Sequence, residues 1–221
     1  MNLVEMVDIH KAFGAVHALD GANLTIGTNE IVGLVGDNAA GKSTLMKVLS
    51  GAYRKDSGTI LIRGIRREIH SPEDARKFGI EMVYQDLALA DNLDVTANIF
   101  MGREVSKGFF LHNDLMVSEA RFFIDRLGIN IADVGQSVQT LSGGQRQSIA
   151  LARAMAFNAS LVIMDEPTAN LSPAAAERIL DIIHQLKVQG MSVIHISHRM
   201  DEVRRVSDRI VVMSHGKMVD A

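Results

Sequence analysis

The sequence predicts an α/β fold in which helices flank a parallel sheet, with an antiparallel β part at the N-terminus and an inserted helical region. Ile31–Val35 is a short apolar run, typical of a strand that is buried on both faces. A glycine-rich turn and a helical pattern over residues 42–50 follow it directly. A second apolar strand, Leu161–Asp165, precedes another helical pattern that begins near Ser172. Strands that alternate with helices in this way favour parallel pairing with right-handed crossovers.

The first part of the chain predicts short strands joined by turns. Over residues 4–31, apolar positions such as Val7 and Ile9 alternate with polar ones, as on a sheet with one buried face. Residues 58–62 and 80–84 predict two further strands. We expect the N-terminal antiparallel β part to come from this stretch.

Residues 86–158 differ in character from the sequence on either side. Segments 114–126 and 144–156 have helical patterns. We interpret the whole stretch as a helical insertion, so that residues 1–85 and 159–221 form the α/β core of a single domain.

The last part of the chain returns to strands and helices. Ser172 and Pro173 predict a helix start, because serine is a preferred N-cap and proline suits the first helical position. Gly190 ends this helix, and residues 192–197 and 210–214 predict two more strands. The helix has one apolar face, formed by Ile179, Ile182, Ile183 and Leu186.

The composition excludes several classes of function. The 221 residues include 23 Lys and Arg against 26 Asp and Glu, a formal charge of −3, without the basic excess that binding to duplex DNA usually requires. Because cysteine is absent, a disulfide framework, a thiolate metal site and a cysteine nucleophile are excluded. The apolar stretches are far shorter than the roughly 20 residues that span a bilayer, and the N-terminus lacks the pattern of a signal peptide. We expect any action at a membrane to require a partner.

A glycine-rich motif between the first buried strand and its helix predicts a phosphate-binding loop. It matches the pattern G-x-x-x-x-G-K-[ST] in the strand–turn–helix context that this pattern requires. Backbone N–H groups of such a loop surround phosphate oxygens, and the positive end of the helix faces the same anion. We expect Lys42 to contact the β- and γ-phosphates and Ser43 to bind Mg²⁺. The predicted nucleotide-binding residues are Gly36, Asp37, Asn38, Ala39, Ala40, Gly41, Lys42, Ser43 and Thr44.

Two acidic residues stand at the end of the strand Leu161–Asp165. Carboxyl ends of parallel strands border the crevice in which open α/β sheets bind ligands. We expect Asp165 to bind Mg²⁺, directly or through water, and Glu166 to polarise the attacking water. A surface turn is the alternative interpretation, but the phosphate loop favours the catalytic one.

The string Leu-Ser-Gly-Gly-Gln at residues 141–145, which we call the signature, opens a predicted helix. The serine caps the helix, and the glycines let a phosphate approach the helix N-terminus. The predicted phosphate-contacting residues are Ser142, Gly143, Gly144 and Gln145. An ordinary glycine-rich helix start is the alternative interpretation.

In this order and spacing, the three motifs resemble those of the ATP-binding cassette (ABC) family over nearly the whole of residues 1–221. The resemblance implies a P-loop (RecA-like) parallel-sheet core, with residues 86–158 as a helical signature subdomain. It implies a hydrolase that uses ATP and Mg²⁺. It also implies that two cassettes pair head to tail, so that the phosphate loop of one and the signature of the other enclose each ATP.

Three further residues match positions of this family one at a time. The resemblance assigns Gln85 to Mg²⁺ and the attacking water, and to the link between the core and the helical insertion. It assigns His198 to the γ-phosphate and Phe13 to stacking on adenine. A core phenylalanine is the alternative interpretation of Phe13, because aromatic side chains commonly pack in cores.

Two positions depart from the family pattern. Ala39 stands where the family usually has glycine, so a positive φ at this position would strain the loop. Ser172 stands where the family usually has aspartate, at a position that the resemblance links to communication between the two sites, and serine can still cap the next helix. The sequence also ends at residue 221, where the family usually continues.

Three other strings, at residues 49–58, 98–104 and 196–203, resemble the ATPases of bacterial monosaccharide importers of the ribose, xylose and fructose type. This resemblance implies a peripheral subunit at the cytoplasmic face of the inner membrane. Its partners would be a permease, a second cassette in a homodimer or pseudo-dimer and, indirectly, a periplasmic substrate-binding protein, with no nucleic acid.

Other functions of the same motifs are also considered. Cassettes of DNA repair carry a long coiled coil between phosphate loop and signature, whereas 104 residues without heptads separate Gly36 from Leu141. A ribosome-associated cassette requires a second cassette and a basic linker, which the charge of −3 does not offer. An exporter ATPase, or an importer of another substrate class, stays the alternative function.

Apolar residues after Gln85 predict a helical stretch over residues 86–100 with two interpretations. The apolar residues form the small core of the insertion, or some line a groove that receives a short helix of the permease. In the second case, Gln85 lies between that groove and the γ-phosphate. The residues concerned are Leu87, Leu89, Leu93, Ile99 and Phe100.

Overall fold

In the computed structural model, the described residues 2–84, 86–157 and 159–219 build a six-stranded sheet, a four-stranded sheet and a short hairpin, together with seven helices. The strands are β1 Asn2–Phe13, β2 Val16–Gly27, β3 Ile31–Val35, β4 Ser57–Ile62, β5 Ile65–Arg67, β6 Ile80–Val83, β7 Ser106–Lys107, β8 Phe110–Leu111, β9 Leu161–Asp165, β10 Ser192–Ile196, β11 Arg209–Ser214 and β12 Lys217–Val219. The helices are α1 Lys42–Leu49, α2 Pro72–Lys77, α3 Val95–Phe100, α4 Asn113–Arg126, α5 Gly143–Ala156, α6 Pro173–Val188 and α7 Met200–Val206, and a short 3-10 turn covers Val138–Thr140.

The six-stranded sheet has the order β12-β11-β3-β10-β9-β6. From β11 to β6 the neighbouring strands run parallel, and β12 pairs antiparallel with β11 at one edge. Every residue of β3 and β10 is buried, as are the four apolar residues of β9. Burial on both faces explains the continuous apolar sequences of β3 and β9, and the predicted α/β class with a parallel sheet is confirmed.

The four-stranded sheet, in the order β2-β1-β4-β5, is antiparallel and confirms the predicted N-terminal β part. Its first two strands have 12 residues each and are longer than the short strands expected. The predicted alternation of Val7 with Ile9 is wrong, because Ile9 is buried whereas Val7 is 43% exposed. Asp8 between them has a φ of 53°, and the pairing of β1 with β2 shifts register between Met6 and Ile9. This bulge breaks the two-residue period.

The helices predicted over 114–126 and 144–156 are confirmed by α4 and α5. The helix predicted over 86–100 is wrong in its first part, because the helix begins at Val95. Its N-cap is Asp94, whose side chain accepts a hydrogen bond from Ala97 N at 2.7 Å.

The buried Asn98 explains why the preceding segment is not helical. Its side-chain oxygen accepts from Ala90 N at 2.8 Å, and its amide donates to Ala90 O at 3.0 Å. The same amide donates to the carbonyls of Leu93 at 3.3 Å and Asp94 at 2.9 Å. One side chain thereby supplies the hydrogen bonds that a helix would otherwise provide.

Two hydrophobic clusters lie on opposite faces of the six-stranded sheet. One contains α1 and the antiparallel sheet, and the other contains α3–α6. Between them, the carboxyl ends of β3, β9 and β10 lie side by side, which positions the residues that follow each strand. None of the helices within the described ranges is long and apolar enough to cross a membrane.

Candidate functional site

The glycine-rich loop connects the carboxyl end of β3 to α1 and is held between β2 and β11. Gly36 has a φ of 147°, and a Cβ at this position would lie 2.1 Å from Met213 O. Gly41 has a φ of 106°, and its Cβ would lie 2.6 Å from Ala18 O. Both positions therefore require glycine for conformation and for space.

Ala39 also adopts a left-handed conformation, with a φ of 66°. A Cβ costs about 1–2 kcal/mol in this region of backbone conformation. The loop is therefore strained at Ala39, where the family pattern usually has glycine.

Lys42 is nearly buried and lies over the loop. Its Nζ donates hydrogen bonds to Gly36 O at 2.7 Å and to Asp37 O at 2.9 Å. Both of these partners are neutral carbonyls, which a negatively charged phosphate could replace.

The Ser43 hydroxyl forms a hydrogen bond with the Asp165 carboxylate, which joins the first turn of α1 to the end of β9. The pKa of the Asp165 carboxyl is raised, mainly because the group is buried. The Ser43 hydrogen bond lowers this pKa, and the charge of Glu166 raises it. A hydroxyl and a carboxylate together suit Mg²⁺, which takes few protein oxygens and completes its coordination with water and phosphate. Within the described ranges, no three His, Asp or Glu side chains cluster as a metal site made of protein ligands alone.

Glu166 and His198 are brought together because β9 and β10 are adjacent parallel strands. His198 Nδ1 lies 2.9 Å from Glu166 Oε2. Glu166 has a φ of 52°, and its N–H donates to Ile196 O at 2.9 Å, which fixes the backbone at this point. A carboxylate next to an imidazole can orient and deprotonate a water molecule.

The signature begins α5 on a different part of the surface. Ser142 and Gln145 form a capping box, in which Gln145 N donates to Ser142 Oγ at 3.4 Å and Ser142 N donates to Gln145 Oε1 at 3.0 Å. The Gln145 amide also donates to Asn130 O at 2.7 Å, and a Cβ on Gly144 would lie 3.0 Å from Ala175 Cβ. Asn130 and Ala175, which lie next to the signature, are different residues from Met213 and Ala18, which lie next to the phosphate loop.

A cavity of 550 Å³ lies beside the signature, between the start of α5 and α6. Its lining includes Ser142, Gly144 and Gln145. The signature is therefore open on one side, although its capping hydrogen bonds are complete.

Phe13 lies at the end of β1 and is 44% exposed, so the alternative of a core phenylalanine is wrong. Its ring meets the ring of Tyr53 edge to face, with 5.2 Å between centroids, and Lys11 Nζ lies 5.4 Å from its centroid. Tyr53 was not predicted as a site residue, although the string at residues 49–58 includes it. Thr168 and Glu202, which lie near Glu166 and His198 in sequence, were not predicted either.

Some predicted residues lie apart from the site or outside the described part of the chain. Gln85 is outside the described residues. Ile99 and Phe100 are fully buried, as the core interpretation of the 86–100 stretch predicts. Leu87 and Leu89 are half-buried against the same cluster, and Leu93 is exposed.

Comparisons with known proteins show the family that this chain is similar to. A family model described as "ABC transporter" matches residues 19–169. A xylose/arabinose import ATP-binding protein of Sulfolobus acidocaldarius is 45% identical over 218 residues, which are 99% of this chain and 87% of that protein. A ribose import ATP-binding protein of Escherichia coli O157:H7 is 45% identical over 98% of this chain, which spans 43% of that protein. The crystal structure of a nucleotide-free ATP-binding cassette from an ABC transporter superposes with a TM-score of 0.90 at 26% identity, covering 100% of this chain and 90% of that chain.

Proposed function

The chain belongs to the family of ABC transporter ATPases, and from this premise we propose that it is the ATP-hydrolysing motor subunit of a monosaccharide importer. The observation that carries the hydrolytic part is the 2.9 Å contact between Glu166 and His198, next to Asp165 and the phosphate loop. Similarity over nearly the whole chain to import ATP-binding proteins for xylose, arabinose and ribose supports the transport part.

The phosphate loop is proposed to hold the triphosphate. Backbone N–H groups of residues 36–44 face the phosphate oxygens, and the N-terminus of α1 adds its positive dipole. Lys42 exchanges its bonds to Gly36 O and Asp37 O for bonds to the β- and γ-phosphates. Phe13, exposed at the end of β1, stacks on the adenine ring.

Ser43 and Asp165 are the proposed holders of Mg²⁺, with Gln85 as a further ligand. When bound, the ion neutralises charge on the β- and γ-phosphates. The Ser43 hydroxyl and the Asp165 carboxylate lie next to each other and are both oxygen ligands, so the residues present fit the ion.

Glu166 is the proposed general base and His198 its partner at the γ-phosphate. The carboxylate accepts a proton from the attacking water, and the imidazole holds both the carboxylate and the phosphate in position. Gln85 would orient the same water.

The second half of each site is proposed to come from another cassette. In this chain the signature makes contacts with α6 and Asn130, whereas the phosphate loop contacts β2 and β11. A head-to-tail dimer would bring Ser142, Gly143, Gly144 and Gln145 of one copy to the γ-phosphate that is bound by the other.

A membrane permease and a periplasmic substrate-binding protein are the further proposed partners, with the chain at the cytoplasmic face of the membrane. Leu87 and Leu89, half-buried beside α3, are the proposed contact for a short helix of the permease. Leu87→Glu should prevent co-purification with the permease and leave ATP binding by the isolated chain intact. Retained co-purification by a folded variant would place the contact elsewhere.

The hydrolytic proposal is tested with the purified chain and Mg-ATP. Glu166→Gln should keep the affinity for ATP and lower turnover by about 10²-fold or more, because an amide cannot accept the proton. Lys42→Ala should instead weaken ATP binding. Turnover at the parental rate in Glu166→Gln would exclude this residue as the base.

Transport is tested in proteoliposomes that contain the chain with the permease that co-purifies with it. ATP-dependent uptake of xylose, arabinose or ribose in the presence of the substrate-binding protein supports sugar import. ATP-dependent efflux, or uptake of other substrates alone, would support the alternative, an exporter or an importer of another substrate class.

A further inference from the structure

A buried carboxylate lies between the two loops that carry Glu166 and His198. Glu202, in the first turn of α7, is 3% exposed. Its Oε2 accepts a hydrogen bond from the hydroxyl of Thr168, which is itself buried. Its Oε1 lies 2.6 Å from Arg199 Nη1, an ion pair rather than an aligned hydrogen bond.

These two contacts join Glu202 to the loop that carries Glu166 and to the loop that carries His198. Thr168 is two residues after Glu166, in the turn where Ala169 N donates to Glu166 O at 3.1 Å. Arg199 directly follows His198, and its N–H donates to Ser197 Oγ at 3.1 Å. One carboxylate therefore connects the loop after β9 with the loop after β10.

The helix that carries Glu202 is fixed against the sheet. A Cβ on Gly33 of β3 would lie 2.4 Å from Val203 Cγ1 and 2.6 Å from Ser207 Oγ. The missing side chain of Gly33 lets α7 approach β3 this closely. The close packing of α7 against β3 therefore fixes the position of Glu202.

We propose that Glu202 is a positioning residue that holds Glu166 and His198 at their working distance through Thr168 and Arg199. The inference rests on the proposed roles of Glu166 and His198 in ATP hydrolysis. A misplacement of reacting groups by about 1 Å can lower a rate by 10²-fold, so a fixed connection between the two loops has a direct effect on turnover. Because the phosphate loop makes most of the proposed contacts with ATP, loss of this connection should change kcat much more than KM.

The test compares kcat and KM for ATP in variants of the full chain. Thr168→Val removes the hydroxyl that binds Glu202 and keeps the shape of the side chain, whereas Thr168→Ser keeps the hydroxyl and loses a methyl group. If Glu202 positions the pair, Thr168→Val should lower kcat by about tenfold with KM within about twofold of the parent, and Thr168→Ser should retain most of kcat. A purely structural role for this site predicts that Thr168→Ser lowers kcat more than Thr168→Val does, because valine preserves packing better than serine.

Glu202→Gln provides a second, independent variant. Its amide oxygen can still accept from Thr168, but the ion pair with Arg199 is lost, so kcat should again fall while KM stays nearly constant. Glu73→Gln is the control, because Glu73 of α2 is an exposed carboxylate that also forms an ion pair, with Lys77 of the same helix. This control should leave kcat unchanged.

The outcomes separate this inference from the proposed function. An inactive Glu166→Gln together with a fully active Thr168→Val would overturn the role of Glu202 and keep the assignment of the base. A fully active Glu166→Gln would overturn the assignment of the base itself. Loss of kcat in Thr168→Ser equal to that in Thr168→Val would also overturn the role of Glu202.

Discussion

The rings of Phe13 and Tyr53 meet at an interplanar angle of 69°, so the edge of one ring faces the other. Tyr53 also packs against the cluster that contains α1, and its backbone N–H donates to Lys47 O at 2.9 Å. Phe13 is therefore supported from the core while its own ring stays exposed. This arrangement leaves Phe13 free to stack on a flat ligand.

Phe13→Ala should raise KM for ATP by about tenfold with little change in kcat, because stacking of a base on an aromatic ring contributes about 1–3 kcal/mol. Tyr53→Ala should have a smaller effect in the same direction. Val16→Ala, an exposed position on the same hairpin, serves as the control in steady-state assays. An unchanged KM in Phe13→Ala would remove this residue from the adenine site.

The rate of ATP hydrolysis per chain should rise with protein concentration, because Ser142 and Gly144 act on ATP that a second copy binds. Lys42→Ala and Gly143→Asp chains should each be inactive alone. The Gly143 position can accept a side chain, since a Cβ there would lie 3.5 Å from Leu171. After mixing in equal amounts, random pairing should restore about a quarter of the sites.

Two results would contradict the shared site. One is a rate per chain that stays constant across a dilution series spanning monomer and dimer. The other is a mixture of the two variants that remains inactive although analytical ultracentrifugation shows mixed dimers.

Ala39→Gly should raise the free energy of unfolding by about 1 kcal/mol, because glycine adopts the observed φ of 66° without strain. Ala40→Gly is the matched control, since the neighbouring Ala40 is buried and has a negative φ. We expect the control to lower the free energy of unfolding by about 0.5–1 kcal/mol. Urea denaturation measures both, and equal destabilisation by the two variants would contradict strain at Ala39.

Acid should destabilise the fold through His195, a fully buried residue of β10 whose two ring nitrogens have no hydrogen-bond partner. Burial lowers the pKa of His195 to about 4 from 6.5. Above pH 6.5 the ring is neutral in both states and stability is unaffected. As the pH falls from 6.5 to 4, only the unfolded chain binds the proton, so the free energy of unfolding should fall by up to about 3 kcal/mol.

His195→Leu should remove this contribution, so that the difference in unfolding free energy between parent and variant changes with pH within this window and is constant above it. Val188→Leu, at an exposed residue that does not titrate, should leave the pH dependence as it is. Parallel pH profiles of parent and His195→Leu in urea denaturation would show that burial of His195 has no such effect.

The candidate site residues that are consecutive in sequence, 36–44 and 165–166, can be assigned from local spacing alone, and their roles stay predictions. Contacts between distant parts of the chain could not be assigned in this way. The pairing of Thr168 with Glu202, in contrast, joins residues 34 positions apart and depends on how α7 packs over Gly33. The bulge at Asp8 depends in the same way on pairing with another strand, and the loop before α3 on the buried Asn98. Sequence periodicity contains no information about these contacts.

The two hydrophobic clusters share their central strands residue by residue. Ile31, Val162 and Val193 point into one cluster, whereas their neighbours Val32, Ile163 and Ile194 point into the other. Neither cluster can therefore lose its packing without exposing strands on which the other depends. Amide protons of β3, β9 and β10 should consequently exchange with solvent only through global opening, with one common free energy, whichever face of the sheet is perturbed.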